Sequence, residues 1–221
     1  MPQIIFWIYL IISGANLVAQ IIPSEELNSY TKPLLMPLLM FYVYRTSLGK
    51  VTGRVLLLCV ALLLSWLGDI ALMYQGETIY FMVGIGLFLL AQVTYIIVLS
   101  KSTTEKLTFD PIKVLPFIIY GIGLFKLLIP NAGDFQIPIF IYGIVIMVMA
   151  STARLREGKS EKLSYRMALY GSMLFVISDS LIAINKFYIE LPQAGFLIMI
   201  TYISAQLLLV KGVLIHQDQS V

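Results

Sequence analysis

The sequence predicts an all-α protein, a polytopic membrane bundle of eight transmembrane helices. Three observations carry that prediction. Of 221 residues, 59% are hydrophobic and only 12% are charged, where soluble domains run nearer about 45–50% and about 25%. The apolar residues gather into eight segments, with no stretch between them long enough for a soluble domain. Lysine and arginine are sorted between alternate loops, as the positive-inside rule expects of a chain threaded through a bilayer. The whole chain, 1–221, therefore reads as a single integral membrane domain.

The segments run roughly over residues 4–22, 33–44, 55–74, 79–100, 112–129, 135–153, 167–185 and 195–215. The first has no basic region before it and no small-residue cleavage site after it, so it is expected to be a retained helix rather than a signal peptide. The second is short and carries Pro33 and Pro37, which predicts a tilted, kinked or partly protein-buried helix. The third holds the sole cysteine, Cys59, which rules out an internal disulfide and a cysteine-based metal cluster. The sole histidine, His216, lies near the tail and excludes a histidine-rich metal site. No metal and no cofactor are expected.

Orientation follows from the charges. Arg45, Lys50, Arg54, Lys101, Lys106, Lys113, Arg154, Arg156, Lys159, Lys162, Arg166 and Lys211 fall on one side, twelve of the fifteen basic residues. Lys32, Lys126 and Lys186 fall on the other. The asymmetry predicts cytoplasmic N- and C-termini. The formal charge of +3 is spread among loops, so no nucleic-acid partner is expected.

Two stretches break the apolar pattern: Ser65-Trp66-Leu67-Gly68-Asp69 in the third segment and Val176-Ile177-Ser178-Asp179-Ser180 in the seventh. A carboxylate at the bilayer centre costs at least ~2.5 kcal/mol, and by default it marks function. Asp69 and Asp179 each lie five or six residues before the outer end of their segment, roughly 8–9 Å deep at 1.5 Å per residue. At equal depth the pair is expected to share one cavity, with one carboxyl acting as acid and the other as base. Asn16, Tyr142 and Tyr202 fall at similar depths, with Lys32 and Lys186 near the rim. The competing reading is a helix-packing role, each carboxylate hydrogen-bonded to hydroxyls or amides of neighbouring spans.

Asp69 is followed by Gln92 on the next segment and Asp179 by Gln206 on its next segment, a short internal repeat. Two half-bundles of four spans each, in the same orientation, would account for it. Gln92 and Gln206 are polar groups in apolar helices, suited to interhelical hydrogen bonds or to substrate. Tyr95, Tyr142 and Tyr202 are packing residues or substrate contacts. Lys32 is either a snorkelling helix-end residue or a phosphate contact. No Gly-x-Ser-x-Gly elbow, His-Glu-x-x-His motif or core histidine is present, so hydrolytic chemistry would have to run on carboxylates.

Taken together, several pieces resemble the YhhN family of eight-span membrane proteins. They are Thr31-Lys32-Pro33-Leu34-Leu35-Met36-Pro37, Gly68-Asp69-xx-Leu72-Met73, Phe81-xx-Gly84-xxx-Phe88, Tyr142 with Met149, Gly171-xx-Leu174-Phe175-xx-Ser178-Asp179, and Tyr202-xx-Ala205-Gln206-Leu207. They span residues 31–207. At Gln92 this chain departs from the family pattern, which often has histidine there; glutamine keeps the hydrogen bonding but cannot titrate. Animal members are lysoplasmalogenases, so the resemblance implies hydrolysis of a lysoplasmalogen vinyl ether to a fatty aldehyde and a glycerophospho-base. It implies Asp69 and Asp179 as catalytic residues, with Lys32, Gln92, Tyr95, Tyr142, Ser178, Tyr202 and Gln206 about an ether lipid or lysophospholipid. The residues alone leave two other readings open. One is a proton-coupled or lipid transporter, and the other is a non-catalytic lysolipid-binding protein.

Overall fold

Each apolar segment becomes a helix. The computed structural model describes residues 2–47, 52–74 and 78–218; Lys50, counted above among the basic flank, lies outside them. Among the described residues there are eight α-helices and no strand: α1 (Pro2–Ile21), α2 (Glu25–Ser47), α3 (Gly53–Met73), α4 (Thr78–Lys101), α5 (Pro111–Leu128), α6 (Gln136–Leu155), α7 (Lys162–Phe187) and α8 (Ala194–Asp218). Local chemistry sets several starts. Thr52 Oγ1 accepts from the Val55 amide at the head of α3. The Asp110 carboxylate accepts from the Ile112 and Lys113 amides at the head of α5, with Pro111 in the first turn. Glu161 does the same for Leu163 and Ser164 in α7. These are N-caps that satisfy amides with no partner inside the helix.

Seven of the eight are long and apolar enough to cross a membrane. The exception is α2, and here the sequence reading needs correcting. The helix is not a short segment of residues 33–44 but runs for 23 residues, continuing through both prolines, about 34 Å at 1.5 Å per residue. That exceeds the ~30 Å of a hydrocarbon core. Its first turns are polar, which hid them from an apolar count, but they are half-sheltered by a neighbour. Asn16 Nδ2 on α1 donates to Asn28 Oδ1 at 3.1 Å and to Thr31 Oγ1 at 2.9 Å, and Gln20 Nε2 donates to Asn28 Oδ1 at 2.8 Å.

The chain divides into two compact units, Met1–Val98 and Leu99–Val221, a division that falls near the end of α4, as the internal repeat suggests.

In the first unit, α1 buries Ile5, Tyr9, Ser13, Asn16 and Ala19, and α2 buries Thr31, Leu35, Met36, Leu39 and Val43. Both sets follow the three-and-four spacing of one helix face. Helices α3 and α4 approach closely through two glycines. A Cβ on Gly68 would stand 2.8 Å from the Phe88 ring, and one on Gly84 would stand 2.7 Å from the Leu72 side chain. These two contacts fix the antiparallel register of the pair.

In the second unit, α7 and α8 pack backbone to backbone. A Cβ on Gly171 would lie 2.9 Å from the Leu209 nitrogen, and one on Gly212 would lie 2.8 Å from the Ala168 nitrogen. Small residues at such an interface are the usual means of helix association in lipid. At the basic end of this unit Arg156 is fully buried rather than a solvated loop charge. Its Nε and Nη2 donate to the Ser102 carbonyl at 3.2 and 2.9 Å, and Nη2 also donates to Ser164 Oγ at 2.8 Å. Burial pushes the guanidinium down to about 10. Beside it, Lys113 and Arg154 bracket Glu157 at 3.0 and 2.7 Å.

Candidate active site

Asp69 sits one turn from the end of α3 and is only 3% exposed. Its position on the helix explains the burial. Trp66 turns toward α2, where its indole nitrogen donates to the Pro33 carbonyl at 2.8 Å. Ser65, Gly68 and Leu72 lie on the face toward α4, and Asp69 falls between these two directions, toward the interior of the unit.

The Trp66 contact has a local cause. Pro37 has no amide hydrogen, so the carbonyl four residues earlier, that of Pro33, has no donor within α2. The indole of Trp66 fills that gap and so pins α2 to α3. Because Trp66 is level with Pro33, Asp69 one turn further along lies near the level of Tyr30 and Thr31, and hence of Asn16. Tyr9 is also within electrostatic reach of Asp69 and of Tyr95. Lys32, half-buried beside Pro33, makes no ion pair among the described residues.

Gln92 and Tyr95 are fully buried on α4. Gln92 continues the line of Gly84 and Phe88, each four residues apart, so it faces α3. Side chains on a helix lean toward its N-terminus, which carries Gln92 outward to the level of Ser65. Neither amide atom of Gln92 finds a protein partner, and neither does Ser65 Oγ.

The second unit builds its polar site from three consecutive residues of α7. Successive helical residues point about 100° apart, and each of these three reaches a different helix. Ser178 Oγ donates to the Ile198 carbonyl of α8 at 3.1 Å. Asp179 Oδ2 accepts from the Tyr142 hydroxyl of α6. Ser180 Oγ accepts from the Tyr120 hydroxyl of α5 at 3.0 Å and donates to its own helix at Val176. Asp179 is half-buried, less enclosed than Asp69. Tyr202 is buried and packs edge-on against Phe175 at 5.6 Å, a packing contact. Gln206 is fully buried further along α8, and Lys186 is exposed near the end of α7.

Of the expected residues, Asp179, Tyr142 and Ser178 thus come together in one unit, and Asp69, Gln92 and Tyr95 line the interior of the other. Ser65, Trp66 and Tyr120 were missed. A serine, a tryptophan or a tyrosine in an apolar helix is ordinarily packing or an interface anchor. Only the proline spacing Pro33-xxx-Pro37 gave a signal that an outside donor was needed.

The YhhN family model matches residues 27–213, which contain both aspartates. The chain belongs to the YhhN family. Its curated relatives include human lysoplasmalogenase TMEM86B, 28% identical over 196 residues that cover 87% of this chain and 79% of the relative. Rat lysoplasmalogenase TMEM86B is 26% identical over 216 residues, covering 96% and 86%. Bovine lysoplasmalogenase TMEM86A is 29% identical over 154 residues, covering 68% and 62%. No solved structure matches this YhhN chain.

Proposed function

We propose that this protein is a membrane-embedded lysoplasmalogenase, cleaving the vinyl ether bond of a lysophospholipid to a fatty aldehyde and a glycerophospho-base. The observation that carries the reading is the likeness to lysoplasmalogenases along most of the chain, joined to two carboxylates held inside apolar helices among polar partners. Vinyl ether hydrolysis begins with proton transfer to carbon, which leaves an oxocarbenium-like cation. Water adds to that cation, and the hemiacetal collapses. The reaction asks for a proton donor and for a carboxylate that steadies positive charge and takes a proton from water, the division of labour found in glycosidases. Asp69 and Asp179 take these roles.

Tyr142 is assigned to orient Asp179, since its hydroxyl bonds one carboxyl oxygen. Lys32, half-buried and without an ion pair among the described residues, suits the phosphate of an amphiphile whose chain lies among the helices. The distribution of basic residues supports N- and C-termini on the cytoplasmic side. The test is substrate selectivity in the purified protein. Aldehyde release is expected from 1-alkenyl lysophospholipids and not from 1-alkyl or 1-acyl counterparts, which lack the protonatable double bond. Fatty acid release from the acyl lipid, with none of the aldehyde, would reject the assignment.

A further inference from the structure

A hydrolase whose carboxylates lie within a bilayer must bring water to them, and the interior of the first unit carries groups suited to hold it. Among the polar atoms there with no protein partner are Asn16 Oδ1, Ser65 Oγ, and both amide atoms of Gln92. All three side chains are fully buried. An unpaired polar atom in an apolar interior is costly, and native interiors almost always satisfy such groups with protein or with ordered water. Ser65 and Gln92 come from facing helices at one level, and Ser65 lies one turn from Asp69 on the same face of α3. Asn16 is tied to Thr31 at 2.9 Å, near the level of Asp69 itself.

The chemistry of these atoms selects the occupant. A hydroxyl and a primary amide offer donors and acceptors without charge, which fits a small neutral molecule able both to donate and to accept. Buried waters make about three hydrogen bonds to such groups. We infer that ordered water occupies the interior of the first unit between Asn16, Ser65 and Gln92, and that it supplies the nucleophile for hydrolysis beside Asp69. Ser65 and Gln92 are its positioning residues. The second half of this inference rests on the lysoplasmalogenase reading. In the step, the water oxygen bonds to the oxocarbenium carbon and its proton passes to the Asp69 carboxylate. The hemiacetal then breaks its bond to the glycerol oxygen, which takes up a proton as the aldehyde forms.

The experiment combines hydroxyl-radical labelling with kinetics on the full-length protein in nanodiscs without substrate. Tyr9 and Tyr95 are fully buried, so radicals formed in bulk solvent do not reach them, and labelling there reports water bound inside. Both are expected to be labelled in the wild type and to lose most of that labelling in Ser65→Ala/Gln92→Met, a pair that keeps volume and removes the polar atoms. With a lysoplasmalogen, kcat in that variant should fall about tenfold, some ~1.4 kcal/mol of transition-state stabilisation, while KM holds. Ser65→Ala alone repeats the test with a smaller change, should the double variant fold poorly. Unlabelled tyrosines in the substrate-free wild type would overturn the water site, as would a raised KM with unchanged kcat, which marks a substrate hydroxyl as the occupant. Labelling as expected in a protein without turnover would leave the water site standing and remove the hydrolase reading instead.

Discussion

Trp66→Phe tests how the first unit holds α2 beside Asp69. The substitution keeps an aromatic ring and removes a single donor, the indole N–H that bonds the Pro33 carbonyl at 2.8 Å. That carbonyl has no donor of its own because Pro37 stands four residues later. A buried acceptor left unsatisfied costs about 1–3 kcal/mol, and hydrogen bonds between membrane helices average ~0.6 kcal/mol and reach ~1.7. A loss of about 1–2 kcal/mol is therefore expected. The decisive comparison is the same change in a Pro37→Ala background. Alanine supplies the missing amide, the Pro33 carbonyl gains its helical partner, and the indole becomes dispensable. In equilibrium unfolding from bicelles, the double-mutant cycle should return a coupling of about 1 kcal/mol, with Trp66→Phe nearly silent beside Pro37→Ala. Additive effects would refute the argument that Trp66 serves the carbonyl that Pro37 strands.

Further outcomes follow from other parts of the fold. Tyr142→Phe should lower kcat about two- to tenfold, as expected when a neutral hydrogen bond worth ~0.5–1.5 kcal/mol to the proton-donating Asp179 carboxyl is lost; it should also shift the alkaline limb of the pH–rate profile, which the general acid sets, and thermal unfolding should move little. Gly171→Ala should cost about 1–3 kcal/mol in unfolding from bicelles, since its Cβ would lie 2.9–3.0 Å from backbone atoms of Leu209 and Ala205, whereas Gly86→Ala, with open space around it, should not. Lys113 first and Arg154 second hold Glu157 below the ordinary carboxylate value. Its small contribution is present above the unfolded pKa and lost as pH falls through the lower folded one, so stability curves of wild type and Glu157→Gln should converge in acid.

The sequence made the helices legible because a membrane leaves little choice. Backbone groups must be paired within each segment, and apolar runs of the right length declare themselves. The two aspartates were legible for the same reason, as costly groups in such runs. The extent of α2 was not, since residues 25–32 are polar and only their pairing with Asn16 and Gln20 reveals why they belong to the helix. Arg156 was counted as a loop charge, yet it is buried against Ser102 and Ser164. Nothing local distinguishes it from Arg154, which lies two residues earlier and is only half-buried, paired with Glu157. That Ser178, Asp179 and Ser180 each reach a different helix follows from helical geometry, but which helix each meets depends on packing. Gln92 read equally well as a tether or a ligand group, and only the absence of any protein partner for its amide favours the second.

The measurement that bears most directly on the central claim is aldehyde release from a lysoplasmalogen by the purified wild type beside Asp69→Asn and Asp179→Asn. Both variants replace a carboxylate with an amide of the same shape, so folding can be checked by thermal unfolding in the same samples. The carboxylate mechanism predicts turnover in the wild type and a fall of about a hundredfold or more in each variant, the scale of general acid–base catalysis. Near-normal turnover in either folded variant would contradict it.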